Sequence, residues 1–263
     1  MSGTNAPIRI GVVGAGGRMG ATVCDAVAAD DQLELVAALD PNAVGHQTHG
    51  VTIVGSVEEF LAARPAVAVD FTAAGAARVT LPALAAAGVH AVVGTTGLGE
   101  DDLTVLRGAF TRSNCLVAAN FAISAVLMMR FAEIAAPFFD TVEITELHHD
   151  AKVDAPSGTA LATAQRIAAA SADWALDPTR DEVLPGARGG KGPAGIRIHS
   201  VRMRGMVAHQ EVLFGAAGQT LQIRQDSYDR VSFMPGVVLA CKRIAEFPGL
   251  TVGLDAFLGL VGA

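Results

Sequence analysis

The residues most able to do chemistry lie together between Glu146 and Ala160, in the sequence E-L-H-H-D-A-K-V-D-A-P-S-G-T-A. This segment contains two adjacent imidazoles, His148 and His149, and the ammonium group of Lys152. An imidazole can donate or accept a proton near neutral pH, and an ammonium can neutralise a carboxylate or, if desolvated, also give up a proton. The segment therefore predicts a site that binds an anion and transfers a proton.

A strand and a helix are predicted to position these groups. Thr141 to Glu146 alternates as a strand does, so His148 and His149 are expected at its end with side chains leaving in opposite directions. Small and apolar residues recur at helical spacing after Ser157-Gly158-Thr159, which predicts a helix to about Ala172. The free backbone N–H groups of its first turn would bind a carboxylate or a phosphate.

Each of these features also has an ordinary structural explanation. Paired histidines can be polar residues at a strand end, Lys152 a solvated loop charge, and S-G-T no more than a helix cap. The functional interpretation is favoured because all three features fall within fifteen residues. A zinc site is disfavoured, since adjacent strand residues diverge and neither H-E-x-x-H nor a cysteine lies near the histidines. We therefore predict no metal.

The first 120 residues repeat a strand-then-helix unit, the pattern of a parallel sheet covered on both faces. Strands are predicted at Ile8–Gly14, Leu33–Asp40, Val51–Val54, Val67–Phe71, Val89–Gly94 and Cys115–Asn120. Helices are predicted at Gly17–Ala29, from Ser56 with a capping-box pattern, and at Ala76–Ala87. This pattern is typical of an α/β, doubly wound domain.

The pattern changes after Phe121. A long apolar helix is predicted at Ser124–Ala135 and a Pro- and Gly-rich span at Asp177–Gly195, with strand-like segments at Ile196–Arg204, Ala208–Phe214 and Thr220–Gln225. A helical pattern at Gly236–Phe247, with Pro235 in a favourable first-turn position, indicates that the chain then leaves this second sheet. We therefore predict an α+β domain over residues 122–232, inserted into an α/β domain of residues 1–121 plus 233–263.

A glycine-dense loop follows the first strand and opens the first helix, where a dinucleotide pyrophosphate can approach the backbone. It has the sequence Gly14-Ala15-Gly16-Gly17-Arg18-Met19-Gly20, an imperfect match to G-x-G-x-x-G because the third glycine falls at position 20. Asp40 ends the second strand, where a carboxylate can accept hydrogen bonds from the adenosine ribose. This context favours a nucleotide site over a merely structural turn.

The residue after Asp40 bears on the choice of cofactor. It is Pro41, whereas enzymes that prefer the 2′-phosphorylated cofactor often place an arginine near this carboxylate. NADH is therefore the predicted cofactor, and NADPH stays open because Arg18 lies in the loop.

Gly94-Thr95-Thr96-Gly97 ends another strand, at the sheet edge where ligands of such folds bind. This glycine-flanked segment is explained equally well as a backbone contact to the nicotinamide and as an ordinary turn.

Composition limits the class of protein. The chain has 263 residues, of which 51% are apolar and 17% charged, the balance of a packed soluble protein. A net charge of −7 argues against a nucleic-acid surface, and charged residues interrupt the apolar runs before they reach the length of a membrane span. The N-terminus shows no leader pattern, so a cytoplasmic location is predicted.

Cys24, Cys115 and Cys241 form no C-x-x-C pair and are predicted to be buried structural thiols.

Basic residues cluster weakly in two places. Arg188–Lys191 lies in a Gly-rich stretch, and Arg197, Arg202 and Arg204 alternate with apolar residues as on one face of a strand. Solvated loops and strand faces are the favoured interpretation. The Gly-rich stretch lacks G-x-x-x-x-G-K-[ST], so it is no P-loop, although it could form a mobile loop covering the site.

Arg230 is explained equally well as a substrate contact and as part of a structural ion pair.

Four motifs together resemble those of the dihydrodipicolinate reductase family, the 4-hydroxy-tetrahydrodipicolinate reductases of diaminopimelate and lysine biosynthesis. They are G-A-G-G-R-M-G, G-T-T-G, A-A-N-F at Ala118–Phe121 and the fifteen-residue segment from Glu146. The resemblance runs over essentially the full length. It implies NAD(P)H-dependent reduction of 4-hydroxy-tetrahydrodipicolinate, through dihydrodipicolinate, to tetrahydrodipicolinate. It also implies a homotetramer whose inserted domain binds substrate and mediates tetramerisation.

The resemblance implies roles for individual residues. His148 is implied as the catalytic acid/base and Lys152 as the proton donor. Substrate contacts are implied for His149, Ser157, Gly158 and Thr159. Cofactor contacts are implied for Gly14, Ala15, Gly16, Gly17, Arg18, Met19, Asp40, Gly94, Thr95, Thr96, Ala118, Ala119, Asn120 and Phe121.

The chemistry of the implied reaction is consistent with these residue types. Hydride arriving at a conjugated cyclic imine leaves negative charge on the ring, so an acid must supply a proton, and histidine can do so at neutral pH. We expect the site between the two domains, with closure about the connections near residues 122 and 232. Two alternatives remain: another two-domain dehydrogenase acting on an amino-acid semialdehyde or aspartate, and a nucleotide-sensing protein without turnover.

Overall fold

The computed structural model describes residues 6–260, which divide into two compact units. One unit comprises the described residues up to Phe121 together with those from Phe233 onward, and the other comprises Ala122–Ser232. Within the described range, no helix combines the length and the apolar character that crossing a membrane requires.

The described residues form thirteen strands and seven α-helices. The strands are β1 (Ile8–Val13), β2 (Leu33–Leu39), β3 (Gln47–Thr48), β4 (Val51–Val54), β5 (Val67–Asp70), β6 (His90–Val93), β7 (Cys115–Val117), β8 (Thr141–His148), β9 (Gly190–Lys191), β10 (Arg197–Arg202), β11 (Ala208–Ala216), β12 (Gln219–Ser227) and β13 (Leu250–Val252). The helices are α1 (Arg18–Ala28), α2 (Val57–Ala62), α3 (Ala74–Ala86), α4 (Glu100–Ala109), α5 (Ile123–Ala135), α6 (Gly158–Ala170) and α7 (Met234–Arg243).

The first unit is built on an eight-stranded sheet in the order β13-β7-β6-β5-β1-β2-β4-β3. Neighbouring strands are parallel except for β3 and β4. Two groups of helices pack on it, α1 with α7 and α2 with α3 and α4, which is why all four residues of β5 are buried. The predicted doubly wound α/β fold is confirmed.

The strand order of this sheet reverses at β1, which lies between β2 and β5. The chain builds outward from β1 through β2 and β4 and then returns to the other side of β1 to add β5, β6 and β7. In open parallel sheets, ligands bind at the carboxyl ends of the strands beside such a reversal. The glycine loop after β1 and the loop after β5 are therefore the parts of this unit placed to hold a ligand.

Sequence periodicity located most elements of the first unit but missed three of them. Helix α4 was not predicted, because its first turn is Glu100-Asp101-Asp102 and its apolar face is narrow. Strands β3 and β13 are two and three residues long, too short to show a period, and they owe their conformation to the strands beside them. Strand β13 pairs in parallel with β7 and adds an edge strand that was not predicted.

The second unit is a five-stranded sheet in the order β12-β11-β8-β10-β9, with β8 at its centre. Strand β8 is antiparallel to β11 and parallel to β10. Helices α5 and α6 pack against each other, and they contact β12 and β8 respectively. The predicted α+β class of the inserted segment is confirmed.

Strand β8 extends two residues beyond its predicted end at Glu146 and reaches His148. The side chains of Val142, Ile144 and Glu146 are buried, and the residues between them are only partly buried. Because side chains alternate along a strand, His148 continues the face of these three. A carboxylate therefore occupies a position that the alternation assigns to an apolar residue.

Helix α1 begins very close to the loop that precedes it. A Cβ atom at Gly20 would lie 2.0 Å from the carbonyl oxygen of Gly14 and 2.9 Å from the Cα of Ala15. Both are backbone atoms, so no side-chain rotation could relieve the collision. The third glycine of the motif is thus required where the helix contacts the loop, and in this chain that contact falls at position 20.

Replacing Gly20 with alanine should lower the free energy of unfolding by about 1–3 kcal/mol, because the added methyl group forces the backbone apart. Gly108→Ala is the matched control, since Gly108 is exposed in α4 and no atom lies within 4 Å of a Cβ there. This control should gain roughly 0.5–1 kcal/mol from reduced backbone freedom. Urea-induced unfolding measures both values, and a Gly20→Ala variant as stable as the wild type would contradict the close approach.

Candidate active site

The glycine loop of the first unit has the shape that a dinucleotide requires. Gly14 has a φ of 81°, in the left-handed region, where it turns the chain out of β1. A Cβ at Gly16 would lie 2.6 Å from the Cβ of Ala43 and 2.9 Å from Oδ2 of Asp40. Helix α1 starts without a side-chain cap and without an acidic residue in its first turn. Its backbone amides and positive end therefore fit a pyrophosphate.

Asp40 follows β2 directly and is oriented by the backbone. Its Oδ2 accepts a hydrogen bond from the Gly16 N–H at 3.0 Å, and its Oδ1 accepts one from the Asn42 N–H at 2.9 Å. Each carboxylate oxygen has a second lone pair, so ribose hydroxyls can still donate to it. Of the other predicted loop residues, Gly17 and Arg18 are exposed, Met19 is partly exposed and Ala15 is buried.

A buried carboxylate that the sequence analysis missed lies at the end of β5. Asp70 is completely buried, and its Oδ1 accepts hydrogen bonds from the hydroxyls of Thr72 and Thr95, both at 2.7 Å. Its Oδ2 accepts one from the hydroxyl of Thr80 at 3.1 Å. Asp70 thereby joins the loops after β5 and β6. The hydroxyl of Thr95 points into this cluster, whereas Thr96 is exposed.

A steric contact explains why position 94 is a glycine. A Cβ there would lie 2.0 Å from Cε1 of Phe71, whose ring packs against Phe121 with 5.6 Å between centroids. Packing in an ordinary turn therefore accounts for Gly94. A ligand can still bind beside this turn. In the A-A-N-F segment, Ala118 and Phe121 are buried, Ala119 is exposed and Asn120 is partly exposed.

In the second unit, His148 is held by Glu146 from the same face of β8. Nδ1 of His148 lies 2.5 Å from Oε2 of Glu146. The glutamate side chain is completely buried and the histidine side chain is 17% exposed. One ring nitrogen is therefore anchored, and Nε2 is the nitrogen that Glu146 does not engage.

Glu146 is neutralised by Arg202 of β10. The guanidinium donates from Nη1 to Oε2 at 2.9 Å and from Nη2 to Oε1 at 2.8 Å, and Nη2 also donates to the carbonyl of Asp154. The expectation that Arg202 lies on a solvated strand face is wrong, because this side chain is only 19% exposed and pairs with a buried acid. Arg204 is solvated as expected, with a side chain that is 92% exposed, but it lies in a turn beyond β10 rather than on a strand face.

A second ion-pair cluster lies on the other face of β8. Glu143 accepts a hydrogen bond from Arg188 at 2.6 Å, and its other oxygen lies 2.7 Å from Nε2 of His199. Arg197 donates to Asp177 at 2.8 Å. Glu143, Asp177, Arg188 and Arg197 line a cavity of about 630 Å³. Arg188 and Arg197 are thus ion-paired rather than solvated, because the sequence did not show which acids the sheet would bring beside them.

Burial and charge set the protonation states of Glu146 and His148. Desolvation, the largest effect on Glu146, raises its pKa, but hydrogen bonds from Arg202, Ser200 and His148 outweigh it and the net pKa is lowered. Burial is also the largest effect on His148 and lowers its pKa; Glu146 opposes this, whereas Lys152 and Arg202 reinforce it. At neutral pH the pair is therefore a carboxylate beside a mostly neutral imidazole, whose imidazolium form gives up its proton more readily than a free one does.

Lys152 is ion-paired within its own loop. Its Nζ lies 2.8 Å from both carboxylate oxygens of Asp154, and this hydrogen bonding lowers the pKa of Asp154. The lysine side chain is 21% exposed and that of the aspartate 60%. His149 is exposed, in contrast to the anchored His148, so the two histidines have different surroundings.

The S-G-T segment begins α6, as the sequence predicted. The Ser157 hydroxyl accepts a hydrogen bond from the Ala160 N–H at 3.2 Å, and the Ser157 N–H donates to Oε1 of Glu146 at 3.2 Å. Ser157 is buried and acts as the helix cap, whereas Gly158 is exposed and Thr159 partly exposed. No acidic residue lies in the first turn, so the positive end of α6 favours an anion beside Gly158 and Thr159.

Two family models together match nearly the whole chain. The model described as "Dihydrodipicolinate reductase, N-terminus" matches residues 8–121, and the model described as "Dihydrodipicolinate reductase, C-terminus" matches residues 124–258. The chain belongs to the dihydrodipicolinate reductase family.

Relatives in this family align over the full length. The 4-hydroxy-tetrahydrodipicolinate reductase of Nocardia farcinica is 50% identical over 260 residues, and that of Corynebacterium urealyticum is 49% identical over 259 residues. Each alignment covers 96% of this chain and 99% of the relative. The solved structure of dipicolinate-bound dihydrodipicolinate reductase from Paenisporosarcina sp. TG-14 has a TM-score of 0.86 at 38% identity, covering 95% of this chain and 99% of that one.

All three cysteines are buried, as predicted. Burial raises the pKa of Cys24 to about 11 and that of Cys241 to about 12, so these thiols stay protonated at neutral pH. Between residues 6 and 260, no three His, Cys, Asp or Glu side chains are grouped so that they could hold a metal ion.

Removing the guanidinium of Arg202 should reveal the cost of burying Glu146. Arg202→Met is expected to lower the free energy of unfolding at neutral pH by about 3–5 kcal/mol, because it leaves a buried carboxylate without its cation. Arg204→Met is the control, since Arg204 pairs with Asp150 at the surface, and it should change stability by about 1 kcal/mol or less.

The pH dependence of the lost unfolding free energy, the deficit of Arg202→Met, shows whether Glu146 is its cause. With its lowered pKa, Glu146 stabilises the wild type above the unfolded-state pKa and loses that contribution as pH falls through the native pKa. Without Arg202 the native pKa of Glu146 should rise above that of the unfolded chain, so the deficit should begin to shrink as pH falls through this raised pKa and should be lost below the lowered native pKa of the wild type. Urea titrations across this range provide the measurement, and a deficit that does not change with pH would rule out the carboxylate as its cause.

Proposed function

We propose that this protein is an NAD(P)H-dependent 4-hydroxy-tetrahydrodipicolinate reductase of diaminopimelate and lysine biosynthesis. It converts 4-hydroxy-tetrahydrodipicolinate, through dihydrodipicolinate and with loss of water, to tetrahydrodipicolinate. The observation that carries the proposal is similarity at about half of all positions, over 96% of this chain, to reductases with this name. The dipicolinate in the related solved structure is a planar ring dicarboxylate, which agrees with the anion-binding features around α6.

His148 is proposed to transfer the proton. A bound reduced nicotinamide supplies hydride to the conjugated imine, and the negative charge left on the ring must then be neutralised by an acid. The environment of His148 suits this task, because its lowered pKa makes the imidazolium a stronger acid, while Glu146 partly sustains the charged form that must carry the proton.

The dicarboxylate substrate is proposed to bind at the start of α6 and along the loop before it. Gly158 and Thr159 offer the backbone of the first turn, and Ser157 holds that turn in place through its cap. Lys152 is proposed to exchange Asp154 for a substrate carboxylate and to give up a proton when desolvated, with His149 as a further contact.

The glycine loop and Asp40 are proposed to bind the nucleotide, with NADH preferred. Asp40 is held at the loop by the Gly16 amide and can accept hydrogen bonds from both ribose hydroxyls of the adenosine half. A 2′-phosphate at the same place would be repelled by the carboxylate. Arg18 is exposed at the first position of α1 and keeps use of NADPH open.

The two units are proposed to divide these tasks. Residues 1–121 plus 233–263 bind the nucleotide, and residues 122–232 bind substrate and join four copies into a homotetramer in the cytoplasm. The exposed apolar side chains of Phe131, Ile134 and Phe138, each at least 50% exposed along α5 and the turn after it, support an interface on the inserted unit.

Replacing His148 with glutamine should lower kcat by roughly 10² or more, because the glutamine amide cannot transfer the proton. The dissociation constant of NADH should not change. His199→Gln is the matched control, since His199 also pairs with a glutamate of β8 but lies on the opposite face, and it should keep wild-type kcat. Consumption of NADH with synthetic substrate gives kcat; a wild type that binds NADH without consuming it would be a nucleotide sensor instead.

Replacing Asp40 with alanine should weaken NADH binding roughly tenfold or more, because the ribose hydroxyls lose a charged acceptor. NADPH should be affected less, since the same change removes repulsion of its 2′-phosphate. Asp31→Ala, an exposed acidic residue before β2, serves as the control and should bind both nucleotides as the wild type does. Fluorescence titration of the wild type and both variants with each nucleotide measures the six constants, and a larger loss for NADPH would overturn the assigned preference.

A further inference from the structure

Glu146 is a charged residue in the apolar series of a central strand. It follows Val142 and Ile144 on the buried face of β8, and its side chain has no exposure to solvent. A buried carboxylate is costly unless hydrogen bonds surround it, and well-packed apolar residues often stabilise such positions better. Its presence here therefore indicates a task besides folding.

The donors around Glu146 define its protonation state. Arg202 donates two hydrogen bonds and the Ser157 amide donates a third, and none of these groups can accept one; the Ser200 hydroxyl also hydrogen-bonds to the carboxylate. Both carboxylate oxygens consequently act as acceptors, and the group stays ionised. Nδ1 of His148, 2.5 Å from Oε2, has to carry a hydrogen in order to bond with it.

We propose that Glu146 is a positioning residue for the reaction: it holds His148 as the Nδ1–H tautomer, so that Nε2 gives up and takes back the proton. The inference rests on the proposed function, in which His148 is the acid. Which nitrogen of a histidine is protonated depends on the hydrogen bond that the other one makes. A third group that orients the proton-transferring residue is a recurrent arrangement in catalysis.

Charged groups act on His148 from three elements. Glu146 lies on β8, Arg202 on β10 and Lys152 in the loop after β8. The remaining neighbouring strand, β11, places Ala208 opposite His148, and the first turn of α6 has no charged side chain. Burial lowers the pKa of His148 most strongly and the two cations lower it further, whereas Glu146 alone raises it. Loss of the Glu146 charge would thus leave less imidazolium at neutral pH.

The same carboxylate also fixes the start of α6. Oε1 of Glu146 accepts the N–H of Ser157, the residue that caps this helix. The proposed proton donor and the proposed anion site are therefore tied to a single side chain. Their separation in space is therefore limited by the length of one glutamate side chain.

A matched control exists on the other face of the strand. Glu143 also pairs with a histidine, His199, and with an arginine, Arg188, but its side chain is 36% exposed. The three residue types are the same and only their place in the fold differs. A loss of charge at Glu143 should therefore leave the pH dependence of catalysis unchanged.

The first experiment compares kcat as a function of pH for the wild type, Glu146→Gln and Glu143→Gln. We expect Glu146→Gln to lower kcat roughly tenfold or more, because its amide can donate to Nδ1 and favour the wrong tautomer. The basic limb of its profile should move to lower pH, since the pKa of His148 falls. Binding of NADH should not change, and Glu143→Gln should reproduce the wild-type profile.

The second experiment requires no variant and covers the case in which Glu146→Gln does not fold. ¹⁵N spectra of the His148 ring in the wild type, assigned with His148→Gln, report the tautomer above its pKa. A protonated Nδ1 and an unprotonated Nε2 would support the proposal, and the reverse would overturn it.

The outcomes separate this inference from the proposed function. A folded Glu146→Gln variant with an unshifted basic limb overturns the positioning role while the reductase assignment stands. A wild type that does not reduce the substrate overturns the proposed function, and the ring spectra still decide whether Glu146 fixes the tautomer.

Discussion

The buried charge of Glu146 is the constraint on which the second unit depends. Removing a carboxylate from water is costly, and here a guanidinium, a backbone amide and an imidazole compensate for it. These groups belong to β10, the start of α6 and the end of β8. Because each of them contacts the same carboxylate, the strand end and the helix start are held at fixed distances from each other.

The first unit also has a buried carboxylate at the end of a strand, but it is satisfied differently. Asp70 accepts hydrogen bonds from three threonine hydroxyls and a backbone amide. Hydroxyls rotate and donate to one acceptor at a time, so this cluster fixes two loops without introducing a cation. The contrast concerns charge: Arg202 brings a cation close to His148 and affects its pKa, whereas the hydroxyls around Asp70 bring no cation.

Local sequence patterns were sufficient for the fold class and for much of the candidate site. The glycine loop, the capping box at Ser56 and the start of α6 all depend on residues within a few positions of each other. The ion pair between Glu146 and Arg202 joins residues 56 positions apart, so no local pattern could reveal it. For Glu146 itself a signal existed, namely an acid at a buried position of an alternating strand.

The distinction between local patterns and contacts between distant residues also explains the elements that were not predicted. Strand β13 forms because the chain returns to lie beside β7, and that pairing depends on residues more than a hundred positions apart. Arg188 and Arg197 were expected in solvent for a related reason, since their acidic partners become neighbours only when the second sheet has assembled.

The three buried thiols have a practical consequence. Alkylating reagents attack the thiolate, and burial both hides these sulfur atoms and keeps them protonated. In the native protein a cysteine introduced at an exposed position would therefore react far faster than Cys24, Cys115 or Cys241. Spectroscopic labels can accordingly be attached at one chosen site in the otherwise unaltered chain.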